Sequence, residues 1–170
     1  PAGRYWDDGC MRRTFEVVTV GAVVAHHAIE TAAGLGLPGE PFLGRRRAVF
    51  AWTGVFAANL LLLRRKGRLG EGLVGFANGA YQALALQHYV DSPWKLRFGV
   101  PVLTEAEGLP HESLAPYNAA LLTVTASSTA AVIASRRHPA VVIGHLLGLA
   151  TLPLQLASAR HHVGWFRAAR

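Results

Sequence analysis

The sequence predicts an all-α, polytopic integral membrane protein: a bundle of five transmembrane helices, with one long extramembrane or re-entrant loop between the third and the fourth. Three observations carry this. Hydrophobic residues make up 51% of the 170 residues and charged residues 16%, where soluble domains carry about 25% charged. Mean hydropathy is positive, at +0.26. The apolar residues also fall in long blocks separated by short charged punctuation. Such blocks suit membrane helices, whereas barrel strands would be about ten residues long and would alternate. The length is that of one domain.

The first block covers about 14–37 and stops at Pro38-Gly39-Glu40-Pro41. The second, about 48–63, rises only ~24 Å against a ~30 Å hydrocarbon core; the arginines on either side can snorkel to make up the difference. The third, about 69–90, breaks at Asp91-Ser92-Pro93. The connection 91–115 holds Pro93, Pro101 and Pro110, and a loop of this length in a small domain is more often functional than idle. The fourth block, about 116–134, opens on Pro116, which suits a first helical turn. The fifth, about 139–159, contains Pro153, which kinks or breaks a helix. Gly75 with Gly79 and Gly144 with Gly148 are small-x-x-x-small pairs that let helix backbones approach closely, and Thr123, Thr125, Ser127, Ser128 and Thr129 read as polar packing between helices.

The net charge of +7 does not indicate nucleic acid. Its arginines cluster at block ends, at 12–13, 45–47, 64–68 and 136–137, and form no basic helix face. They set membrane topology instead. Placing 64–68 and 135–138 in the cytoplasm puts the N-terminus there too, in a multi-pass protein of the cell membrane; Arg45–Arg47 oppose that orientation. Met11–Arg13 resemble the n-region of a signal peptide, but the following block holds His26, His27 and Glu30 and the GLGLPGEP after it is a poor small-x-small cleavage site, so an uncleaved signal anchor is expected. The single cysteine, Cys10, leaves no internal disulfide and no thiolate-rich metal cluster. The expected partners are the lipid bilayer and an apolar small molecule, and a homo-oligomer is compatible with the pattern.

The chemistry concentrates in Val23–Gly34, where His26, His27 and Glu30 interrupt an apolar run. A charged side chain at the bilayer centre costs about 2.5–3.5 kcal/mol on insertion scales, so such groups face the bundle interior in partnerships and mark function. His26 and Glu30 stand four apart and His27 and Glu30 three apart, within reach on one helix face. Burial favours a neutral carboxyl and an imidazolium neighbour an ionised one, so small changes move the proton. A satisfied polar cluster that fixes helix register is the competing account. The third block adds Asn78, Tyr81, Gln82, Gln87 and His88, the last read as interfacial, and the long loop adds Glu105, Glu107, His111 and Glu112 before Asn118.

Eight histidines invite a metal, yet there is no His-Glu-x-x-His and no repeated His-x-x-His-His set. With one Cys and one Met, soft-ligand copper is disfavoured. No metal and no cofactor is expected; a bis-imidazole haem would need His26 or His27 opposite His145.

A His-x-x-x-Glu pair in a first-half helix of a five-helix bundle, here His26-His27-Ala28-Ile29-Glu30, resembles the emopamil-binding sterol isomerases. Those proteins move a double bond by protonating a lipid inside the membrane. Integral-membrane terpene cyclases share that logic: an intramembrane acid starts a carbocation reaction and aromatic faces shelter it. The resemblance spans this motif and the helix count. The family's second mid-helix acid and its late Asn/Trp pair have no counterpart at matching positions; Glu71, Asn118 and Trp165 stand elsewhere.

The expected function is therefore an intramembrane enzyme using acid–base chemistry on a lipid, isoprenoid or sterol-like substrate, of isomerase or cyclase type. Glu30 is the leading proton donor, tuned by His26 and His27, with Glu105 or Glu107 as a second acid. Asn78, Tyr81, Gln82 and Asn118 orient the substrate, and Trp52, Phe56, Tyr81 and Trp94 offer aromatic faces to a passing cation. Two other readings fit the same residues: a haem- or metal-binding subunit of a redox complex, and a non-catalytic accessory or transport protein.

Overall fold

The computed structural model describes residues 8–64, 67–106 and 108–168. The helix that carries the histidines, α1 (Asp8–Ala32), buries Glu16, Thr19, Val20, Val23, His26 and His27, at the steps of three and four that make one helical stripe. It stops short of residue 37 because Gly34 and Gly36 adopt φ of 80° and 77°, a conformation glycine takes without steric cost. A single turn, α2 (Glu40–Leu43), leads into α3 (Arg45–Leu62), which takes Arg45–Arg47 into its first turn rather than leaving them outside.

The third block is α4 (Arg68–Asp91). The long connection is partly ordered into an antiparallel hairpin, β1 (Trp94–Arg97) and β2 (Val100–Leu103), with Trp94 opposite Leu103 and Arg97 opposite Val100. Its two-residue turn, Phe98-Gly99, has φ of 53° and 79°, the positive pair that tight hairpins need. A 3-10 turn at His111–Ser113 then opens α5 (Leu114–Ala134). The fifth block is broken, not kinked: α6 (Pro139–Leu149) and α7 (Leu152–Ala168) are separate helices, with Pro153 in the first turn of the second. Proline has no N–H and crowds the preceding turn, so it is tolerated there and not further in.

Two pairings hold the bundle. α4 lies on α6 with the expected glycines in contact: a Cβ at Gly75 would collide with the Val141 carbonyl, one at Gly79 with that of His145, and one at Gly148 with that of Phe76. α1 lies on α5, joined by a 2.7 Å hydrogen bond between Thr19 and Ser127. The core between α1, α4 and α5 contains Val23, Tyr81, Tyr117, Leu121 and Val124. Large apolar side chains also face outward, among them Phe50, Leu61, Leu69, Ile143, Leu147 and Leu154.

Among the described residues two helical stretches are long and apolar enough to cross a membrane, 111–134 and 139–168. The five apolar blocks thus do not give five helices that meet this measure. The reason is polar content: α3 includes three arginines, and α1 holds Arg12, Arg13, Glu16 and Glu30 beside its histidines.

Candidate functional site

Glu30, in the last turn of α1, is the hub of a buried cluster. His26 Nε2 lies 3.3 Å and His27 Nδ1 3.1 Å from its Oε2. The Tyr117 hydroxyl, from the first turn of α5, donates to its Oε1 at 2.8 Å. His88, from α4, places Nδ1 3.3 Å from the Tyr117 oxygen, with its ring centroid 4.9 Å from that of His26. The two histidines of α1 are almost fully enclosed, at 1% and 4% exposure. Both remaining ring nitrogens, His26 Nδ1 and His27 Nε2, are buried without a hydrogen-bond partner among the described residues.

Aromatic rings continue from His27. Its ring centroid is 4.6 Å from Trp52 and 6.4 Å from Phe56, and Phe56 is 6.3 Å from Tyr81. Trp52 is fixed by donating its indole N–H to the Pro38 carbonyl at 2.9 Å, and the Tyr81 hydroxyl is bonded to Asn59. The turn after α1 thereby orients α3 against the cluster.

The cluster lines a cleft of about 830 Å³ between α1, α3, α4 and α7. Leu73, Phe76 and Leu84 from α4 and Val55 and Leu62 from α3 supply apolar wall; Gln155, Ser158 and His162 from α7 make a more polar side. From Leu73 to His88, both on the wall, α4 rises ~22 Å. A carboxylate with imidazoles and a phenol beside it can pass or share a proton, or bind a cation; the apolar wall can take a long hydrocarbon.

The structure gathers His26, His27, Glu30, Trp52, Phe56 and Tyr81 at this site and leaves the other expected residues elsewhere. Asn78 donates to the Ser128 carbonyl at 3.1 Å and meets His145 Nδ1 at 3.3 Å. Gln82 donates to Thr129 at 3.0 Å. Both therefore tie helices together, because polar side chains inside a bundle find partners across it. His145, engaged with Asn78 at the α4–α6 contact, is not paired with His26 or His27 as a bis-imidazole haem would require. Asn118 latches the hairpin: it accepts from the Leu103 N–H at 2.7 Å and donates to the Leu103 carbonyl at 3.1 Å. Trp94 is half exposed on β1. Glu105 is exposed, while its neighbour Ala106 lines the cleft. Glu107 lies outside the described residues.

No family model, curated protein or solved structure matches the chain. The site is therefore read from its own geometry. Two of its members, His88 and Tyr117, escaped the sequence reading: His88 sits near a helix end where a histidine reads as interfacial, and Tyr117 lies 87 residues from Glu30. A second buried carboxylate, Glu16, was also missed. It stands at the other end of the α1 stripe, 4% exposed and 3.9 Å from Arg12, and Arg12 in turn reaches Glu71, which meets His138 at 3.3 Å.

Proposed function

We propose that the chain is an intramembrane enzyme that carries out acid–base chemistry, of isomerase or cyclase type, on a lipid- or isoprenoid-like substrate. The observation that carries the reading is the placement of His26, His27, Glu30 and Tyr117 together on the wall of a long, largely apolar cleft. A buried polar cluster facing such a cleft is the default position of an active site. Trp52, Phe56 and Tyr81 beside His27 supply faces that favour a cationic intermediate.

In this reading α1, α3, α4, α5 and the α6–α7 pair are five membrane-crossing segments, with the N-terminus in the cytoplasm. The outward apolar side chains of α3, α6 and α7 support it, and the polar groups that lower the hydropathy of α1 are largely those turned inward. Substrate reaches the cleft sideways from the bilayer between α3 and α7.

The test is the lipid that accompanies the purified protein. Mass spectrometry is expected to find an elongated apolar molecule at about one per chain, converted to a product by wild type and retained unconverted by Glu30→Gln. Equal conversion by the variant and wild type overturns the reading.

A further inference from the structure

We propose that His26, His27 and Glu30 form a binding site for one divalent first-row transition-metal ion, with Zn²⁺ the cation their donor set fits best. The inference deepens the proposed function, resting on it for the substrate cleft alone, and supplies the acid–base group as a water bound to the cation.

The three residues stand at i, i+1 and i+4 on α1 and each offers one donor atom, all three within 4.8 Å of one another. Two of the separations are already close to coordination geometry. In a tetrahedral zinc site with bonds of about 2.0–2.1 Å, ligand atoms lie ~3.4 Å apart; His26 Nε2 and His27 Nδ1 stand 3.3 and 3.1 Å from Glu30 Oε2. Only the two rings must close on each other. Two imidazole nitrogens and one carboxylate oxygen, with no thiolate, make a borderline N/O set that suits zinc or ferrous iron and not copper(I) or magnesium.

The surroundings fit as well. Tyr117 holds Oε1 of Glu30 at 2.8 Å and leaves Oε2 as the single oxygen on which both imidazoles converge, the outer support that carboxylate ligands usually have. His88 stands beside the site, its ring 4.9 Å from that of His26. All three residues line the cleft, from which water can take a fourth position. In the interior a carboxylate lacks solvent to balance its charge, and a dication held between it and the two imidazoles supplies that charge. A bound water made more acidic by the ion is the acid–base group such a site offers.

The experiment measures metal in the purified full chain by mass spectrometry, after incubation with Zn²⁺ and removal of the free ion. Wild type is expected to retain about one equivalent per chain. His27→Ala and Glu30→Ala should retain less than a tenth of that, and His111→Ala, on the exposed 3-10 turn, as much as wild type. Tyr117→Phe should bind with about ten- to a hundredfold weaker affinity. Co²⁺ in place of Zn²⁺ should give visible d–d bands in wild type that Glu30→Ala lacks. Should the alanine variants not fold, the melting temperature of wild type decides: a rise with Zn²⁺ supports the site, and none overturns it. Retention below a tenth of an equivalent by wild type, or equal retention by Glu30→Ala, also overturns it. Substrate turnover that persists in metal-free protein and is lost in Glu30→Gln removes the metal and leaves the proposed function. Metal retained by a protein that converts no lipid does the reverse.

Discussion

The Tyr117 hydroxyl donates a 2.8 Å hydrogen bond to Glu30 Oε1, joining the first turn of α5 to the last turn of α1. The bond draws Glu30 toward α5 rather than toward its own helix. His88 approaches the same hydroxyl from α4 at 3.3 Å, so a single phenol oxygen ties three helices to the site.

Tyr117→Phe keeps the ring, which lies 4.8 Å from that of His26, and removes the hydroxyl. Hydrogen bonds to charged groups contribute about 1.5–3 kcal/mol. A loss of stability of that order is expected in denaturant unfolding of the detergent-solubilised protein. An unchanged midpoint would mean that Glu30 draws no stability from α5.

Gly79→Ala puts a methyl group onto the His145 carbonyl. Overpacking of this kind costs about 1–3 kcal/mol, and here it falls on backbone that cannot turn away. Gly54→Ala on α3, with nothing within 4 Å, should leave stability unchanged or raised. Equal melting temperatures for the two variants would refute the close α4–α6 contact.

Asn118→Ala removes both bonds to Leu103 and a third, 2.8 Å, to the Leu114 carbonyl. The hairpin should loosen at its base while α5 persists. Faster amide exchange across Val100–Leu103, with helical circular dichroism retained, is the expected result. Slow exchange in the variant would show that other contacts hold β2.

Cys10 is the sole cysteine and is exposed near the start of α1. The proposed topology, with the N-terminus in the cytoplasm, predicts that a membrane-impermeant maleimide labels inside-out vesicles and spares right-side-out cells. The opposite pattern would invert the topology, and labelling from both sides would argue against a fixed insertion.

Much of the fold was legible because it is encoded locally. The apolar blocks became α1, α3, α4, α5 and the α6–α7 pair, and the two glycine pairs do meet. The boundaries were less legible: the α1 terminus depends on left-handed glycines at 34 and 36, and the break at Pro153 depends on where the proline falls in its turn. Polar residues on α4 were the poorest guide. Asn78 and Gln82 look from the sequence like a substrate-facing line, yet their partners are Ser128, His145 and Thr129 on neighbouring helices. Helical spacing shows which side chains share a face and says nothing of what that face meets.

By itself the sequence determined the helical class and the convergence of His26, His27 and Glu30, because both follow from spacing along one chain segment. Helix pitch alone brings residues four apart within reach. The tertiary structure decided what surrounds those three: Tyr117 and His88 as partners and Trp52 and Phe56 as aromatic neighbours, with Asn118 bonded instead to the hairpin backbone. Those contacts join helices far apart in the chain, and no local spacing encodes which face of one helix will pack against another.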